Sequence, residues 1–100
     1  GDYARSALRR GLEIEERVRK YAEDRAQRLP HYFDKVSRVE VVIDREGGDF
    51  TCEIHVSAEG HEEFVARAGD RELTASIDLA HDKVVRQLND WKSRLRDNHH

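Results

Sequence analysis

Residues 38–58 read RVEVVIDREGGDFTCEIHVSA, and this stretch constrains the fold more than any other. Two runs rich in β-branched and aromatic residues flank a short turn. Gly47 and Gly48 supply the backbone freedom that a tight hairpin requires. In the second run Phe50, Cys52, Ile54 and Val56 point one way, and Thr51, Glu53, His55 and Ser57 the other. A hairpin with one apolar face needs a cover. The sequence on either side supplies two amphipathic helices to provide it.

The spacing predicts a first helix from about Glu13 to Leu29. Ile14, Val18, Tyr21, Ala22, Ala26 and Leu29 fall on one face. Glu13, Glu15 and Glu16 occupy its first turn, where the helix dipole favours acid. Pro30 is expected to end it, because proline disfavours helical geometry in the residue before it. Strands are predicted over about Arg38–Asp44, from Phe50 to Ala58, and over about Glu63–Ala68, with Phe64 and Ala66 inward. The turn EGHE joins the last two. A long helix follows from about Leu73 to Arg96, buried along Ile77, Ala80, Val84, Leu88, Trp91 and Leu95. The expected architecture is an α+β two-layer sandwich, with both helices on one face of an antiparallel-rich sheet. Residues 1–11 are ambiguous between a first strand, a helical extension and an arm. Ala and Arg form strands poorly, which weighs against the strand.

Length and charge set the scale. One hundred residues make one domain, with a core limited to roughly 20–30 side chains. No run of apolar residues is long enough for a membrane helix. The single cysteine, Cys52, cannot form an internal disulfide, and this fits a reducing compartment, most simply the cytoplasm. Net charge is −3, but it is unevenly spread. Residues 1–33 carry +2, residues 34–72 carry −6 and residues 73–100 carry +1. The acids gather in the hairpin region and the bases in the helical flanks, which leaves room for a nucleic-acid partner.

The basic residues lie off the apolar stripes. Lys83, Arg86 and Arg94 fall roughly opposite the stripe of the long helix, and Lys92 and Arg96 lie on a third flank. On the first helix Arg17, Lys20 and Arg28 lie outside the apolar face, and Arg25 lies within it and reaches for its edge. Helices packed side by side on one sheet face turn their outer sides the same way. Their cations are then expected to share one surface, suited to the phosphates of an RNA backbone, with an acidic open sheet face behind. The plainer alternative is that these charges only solvate the helices.

Other chemistry is weakly indicated. His55, Glu59 and His61 match no metal-ligand spacing, so no metal or other cofactor is expected. Cys52 alternates with core residues and reads as a buried thiol. His31 and His81 have no evident partner for acid–base work. No glycine-rich phosphate loop is present. Trp91 and the other aromatics fall mostly at core positions, and Tyr32 and Phe33 are expected to cap the core. An enzyme is therefore not expected.

Two long stretches, LPHYFDKVSRVEVVID (residues 29–44) and FVARAGDRELTASIDLAHDKVVRQL (residues 64–88), resemble the ribosome hibernation-promoting factor family, which includes the ribosome-associated inhibitor and its plastid relatives. The likeness spans about Leu12–Leu95. It implies a β-α-β-β-β-α fold similar to double-stranded-RNA-binding domains. It also implies a partner, the small ribosomal subunit, on which the domain would occupy the messenger RNA channel and the A- and P-site transfer RNA positions and so block translation. The family's basic helix positions match Lys83 and Arg86. Lys92, Arg94 and Arg96 continue its basic end, and Arg17, Lys20, Arg25 and Arg28 are candidates on the first helix. Neither a membrane nor a small-molecule substrate is implied. The sequence YARSALRRG departs from the family's usual first strand. The chain corresponds to a short-form member or to the N-terminal domain of a long one. A general double-stranded-RNA-binding module is the alternative, and the acidic AGDREL before the last helix disfavours it.

Overall fold

The computed structural model describes residues 4–8 and 16–97. In chain order these form β1 (Ala4–Leu8), α1 (Glu16–Tyr32), β2 (Val36–Glu46), β3 (Asp49–Ala58), β4 (Phe64–Asp70) and α2 (Leu73–Asp97). The strands make one sheet in the order β1-β2-β3-β4. β2, β3 and β4 are antiparallel neighbours. β1 runs parallel to β2, with Ala4 opposite Val39 and Leu8 opposite Ile43. A parallel neighbour needs a crossover, and α1 is that crossover.

The α+β two-layer sandwich is thus present, and the ambiguity at residues 1–11 resolves in part. Residues 4–8 are a strand despite weak intrinsic propensity, because the register offers them the backbone groups along β2. The remainder of that stretch, and the first predicted turn of α1 at residues 13–15, lie outside the described residues.

The hairpin alternation holds. Val39, Val41, Ile43, Cys52, Ile54, Val56, Phe64, Ala66 and Ala68 are buried beneath the helices. Ala22, Ala26 and Leu29 of α1 and Ile77, Ala80, Val84 and Leu88 of α2 pack onto them. At ~25 cal/mol per Å² of apolar area, this shared layer is the main source of stability. Gly47 at φ 62° and Gly60 at φ 85° make the two turns, in a conformation that side chains with a Cβ resist. β2 begins two residues before the expected Arg38, and a bulge falls between Val36 and Arg38.

Pro30 does not end α1. The helix runs on to Tyr32, and Phe33 N–H donates to Leu29 O at 3.0 Å. Proline removes only its own N–H, and tertiary anchoring of Leu29 and Phe33 in the core keeps the last turn helical. Among the described residues, no helix is long and apolar enough to cross a membrane.

Candidate nucleic-acid interface

α1 and α2 run parallel, side by side. Near their N-terminal halves the Tyr21 hydroxyl donates to the Asp78 carboxylate at 2.5 Å. Near their C-terminal ends Lys92 Nζ makes a long, weak contact of 3.5 Å with Tyr32 O. This arrangement orients the cations of both helices. At 100° per residue, the exposed Lys20 sits at the crown of α1 and the exposed Arg86 at the crown of α2, both away from the sheet.

The remaining predicted residues divide into two groups about these crowns. Arg28 and Lys92 line one groove between the helices, of about 450 Å³, together with His81 and Asn89. Arg25 is half-buried at its edge. Its guanidinium lies 4.8 Å over the Tyr21 ring, and its Nε is 3.0 Å from Asp78 Oδ1. That pair is close but off line for a hydrogen bond, so the Nε–H is left without a well-formed one. Arg28 also pairs with Asp24, one turn earlier, at 2.9 Å. Such an exposed pair is worth only a few tenths of a kcal/mol, roughly, and yields readily to phosphate.

Lys83 lies on the other side of α2. Its Nζ donates to Arg67 O at 2.9 Å, and Gln87 one turn later donates to Val65 O at 3.1 Å. Both carbonyls belong to β4, the edge strand. Lys83 therefore covers an edge that would otherwise present unpaired groups to another strand. One of its three N–H groups is used in this way, and the charge stays at the surface. Arg94 lies three turns further along the same flank, exposed. Arg17 and Arg96 are exposed near opposite ends of the helical layer. Lys20 and Arg86 at the crowns, Arg28 and Lys92 in the groove, and Lys83 and Arg94 on the β4 flank thus follow three rows along the helical layer.

The opposite sheet face carries Glu40, Asp44, Glu46 and Glu53, with Arg67 hydrogen-bonded to Glu46. His55 sits among them, its Nε2 2.7 Å from Glu53 and its Nδ1 3.2 Å from Glu63. Burial alone would lower the His55 pKa, but the two carboxylates outweigh it and raise it. His61 is on the other side of the sheet, stacked on Phe64 at 4.1 Å. No group of three or more metal-ligating side chains converges among the described residues. His81 is half-buried beside α1. Burial, and then the nearby Arg25 charge, lower its pKa.

Burial pushes the Cys52 thiol up to about 12, in keeping with an inert core cysteine. Of the two aromatics expected to cap the core, Phe33 does so at 7% exposure, but Tyr32 is 64% exposed. The continuation of α1 past Pro30 turns Tyr32 outward, a consequence that ending the helix at Leu29 hid.

Comparison with known proteins identifies relatives of the chain and of its fold. Residues 9–96 match the model of the Sigma 54 modulation protein / S30EA ribosomal protein family. The chain is 33% identical over 79 residues to the ribosome hibernation promoting factor of Azotobacter vinelandii, covering 77% of this chain and 71% of that one. It is 32% identical over 85 residues to that of Escherichia coli K12, covering 85% and 88%. The Thermus thermophilus Protein Y N-terminal domain superposes with a TM-score of 0.73 at 30% identity, over 90% of this chain and 97% of that one. A ribosomal subunit interface protein from Coxiella burnetii shares the fold, with a TM-score of 0.72 at 18% identity over 90% and 94%. With the family model matching residues 9–96 and relatives above 30% identity covering most of the chain, the chain belongs to the S30EA family of ribosome hibernation promoting factors.

Proposed function

We propose that this chain is a non-enzymatic ribosome-binding hibernation factor. On this reading residues 1–100 act as one ribosome-binding unit in the cytoplasm. It occupies the messenger RNA channel and the A- and P-site transfer RNA positions of the small subunit, and keeps idle ribosomes out of translation. The observation that carries the reading is the parallel packing of α1 and α2 on one sheet face. It turns Lys20 and Arg86 outward together and brings Arg28 and Lys92 to one groove.

Cations on two adjacent rods match the phosphates of a folded RNA cleft by shape and charge, with no need for base-specific contacts. The acidic face behind them disfavours a second RNA contact, so binding is one-sided. Arg17, Lys20, Arg25, Arg28, Lys83, Arg86, Lys92, Arg94 and Arg96 are the residues proposed to meet ribosomal RNA. Arg25 contributes least, because Asp78 already neutralises it.

Sucrose-gradient co-sedimentation with purified small subunits tests the reading. The chain should sediment with the subunit and be displaced by messenger RNA together with transfer RNA. Binding that those competitors leave untouched would move the site elsewhere on the subunit. Equal affinity for free duplex RNA would favour a general duplex-binding module.

A further inference from the structure

Tyr32 is the most exposed large apolar side chain among the described residues, and Leu95 is 42% exposed. The two lie at the same end of the molecule and line one cleft with Phe33 and the chain's single tryptophan, Trp91. The cleft holds about 130 Å³, and its lining is chiefly apolar. Trp91 is braced from the sheet side, with the Phe64 ring at 5.5 Å and the His61 ring at 5.2 Å. Phe33 is buried. The walls of the cleft are therefore fixed by core packing, and Tyr32 stands at the mouth on the last turn of α1.

Charge at the rim narrows what fits. Lys35 and Lys92 flank the opening, and Asp34 is the one acid there among the described residues. Lys92 is positioned between the Tyr32 carbonyl, at 3.5 Å, and the Phe33 ring, at 5.7 Å. Tyr32, Phe33 and Lys92 also line the interhelical groove that holds Arg28, so the cleft opens directly onto the basic surface. Aromatic walls with cations at the rim fit a planar, π-rich group joined to an anion. An unstacked RNA base with its neighbouring phosphates has that chemistry. A purely apolar peptide side chain would use the walls and leave both lysines without a role. Asp34 can accept from an amino or imino N–H on the base edge, while it steers the phosphate toward the lysines.

We infer that the Tyr32–Trp91 cleft takes one unpaired base of an RNA strand, stacked on the aromatic walls, with its flanking phosphates on Lys35 and Lys92. This deepens the proposed function and rests on it. It adds a contact with a splayed-out nucleotide to the shape-based grip of the helices.

Trp91 fluorescence reads the cleft directly. Titration of the full chain with uridine or guanosine monophosphate should give saturable quenching. Ribose 5-phosphate and inorganic phosphate, which lack the base, should give none. Tyr32→Ala should weaken the nucleotide about tenfold, in keeping with the loss of one stacked base. Tyr32→Leu, which keeps apolar bulk but loses the ring, should weaken it similarly. Both variants should keep the parent's far-UV spectrum, since Tyr32 is exposed. Equal saturable quenching by ribose 5-phosphate would overturn the inference, as would nucleotide quenching that Tyr32→Leu leaves intact. Saturation by N-acetyl-leucinamide but not by nucleotides would assign the cleft to a protein side chain and also overturn it. A chain that sediments with small subunits yet ignores nucleotides keeps the ribosome reading and loses the cleft. One that binds nucleotides but never sediments keeps the cleft and loses the ribosome.

Discussion

The Tyr21 hydroxyl of α1 donates to the Asp78 carboxylate of α2 across 2.5 Å, and it joins helices that are 57 residues apart in sequence at that point. The bond raises the Tyr21 pKa, mainly because the carboxylate accepts the proton that ionisation would remove. Tyr21→Phe should lower unfolding free energy by about 1 kcal/mol. Asp78→Ala should lower it by about 2 kcal/mol, since it strips partners from both Tyr21 and Arg25, with solvent exposure trimming the ionic share. Urea denaturation measures both. An Asp78→Ala variant with the parent's midpoint would show that the helices are held by apolar packing alone.

The two partly buried histidines should act on stability in opposite senses. The folded-state pKa of His55 is raised above its ordinary 6.5, because Glu53 and Glu63 outweigh burial. Its contribution is therefore complete below pH 6.5 and is lost as pH rises through the folded value. The pKa of His81 is lowered from 6.5 by burial and by Arg25. The fold favours its neutral form, so it begins to destabilise the protein as pH falls below 6.5. Comparison of His55→Gln and His81→Gln with the parent from about pH 5 to pH 8 separates the two. The His55 variant should approach the parent's stability at the alkaline end, and the His81 variant should outlast the parent at the acid end. The same trend in both variants would contradict the assigned surroundings.

Cys52 should be silent in the native protein. It is fully buried, and its thiol is pushed up to about 12 by desolvation and then by Glu53. At about pH 8, a thiol reagent should label it only at the rate of unfolding, and quickly in denaturant. Fast labelling without denaturant would mean that the sheet and helices part more easily than their packing suggests.

Much of the fold could be read from local chemistry. The alternation from Phe50 to Val56 fixed which sheet face is covered, and the stripes of α1 and α2 fixed what covers it. Two features depended on long-range structure. Ala4–Leu8 has no strong strand preference of its own; it is ordered by parallel pairing with Val39–Ile43, a contact no local pattern announces. The helical turn beyond Pro30 is held by Phe33 in the core, and it alone determines that Tyr32 faces outward. The basic residues were identifiable by their spacing. Their partition was not, because the Asp78–Arg25 pairing and the Lys83 contact with the β4 edge arise only when distant segments meet.

If cations from both helices together grip ribosomal RNA, the salt dependence of small-subunit binding must show it. If about six phosphates are engaged, log affinity should fall with log salt at a slope of roughly −4 to −5. Lys20→Glu combined with Arg86→Glu, one crown residue from each helix, should weaken binding sharply and flatten the slope by about 1.5 while leaving thermal unfolding unchanged. A nearly salt-independent complex, or a double variant that binds with the parent's affinity and slope, would mean that the two helices do not share a phosphate-binding surface.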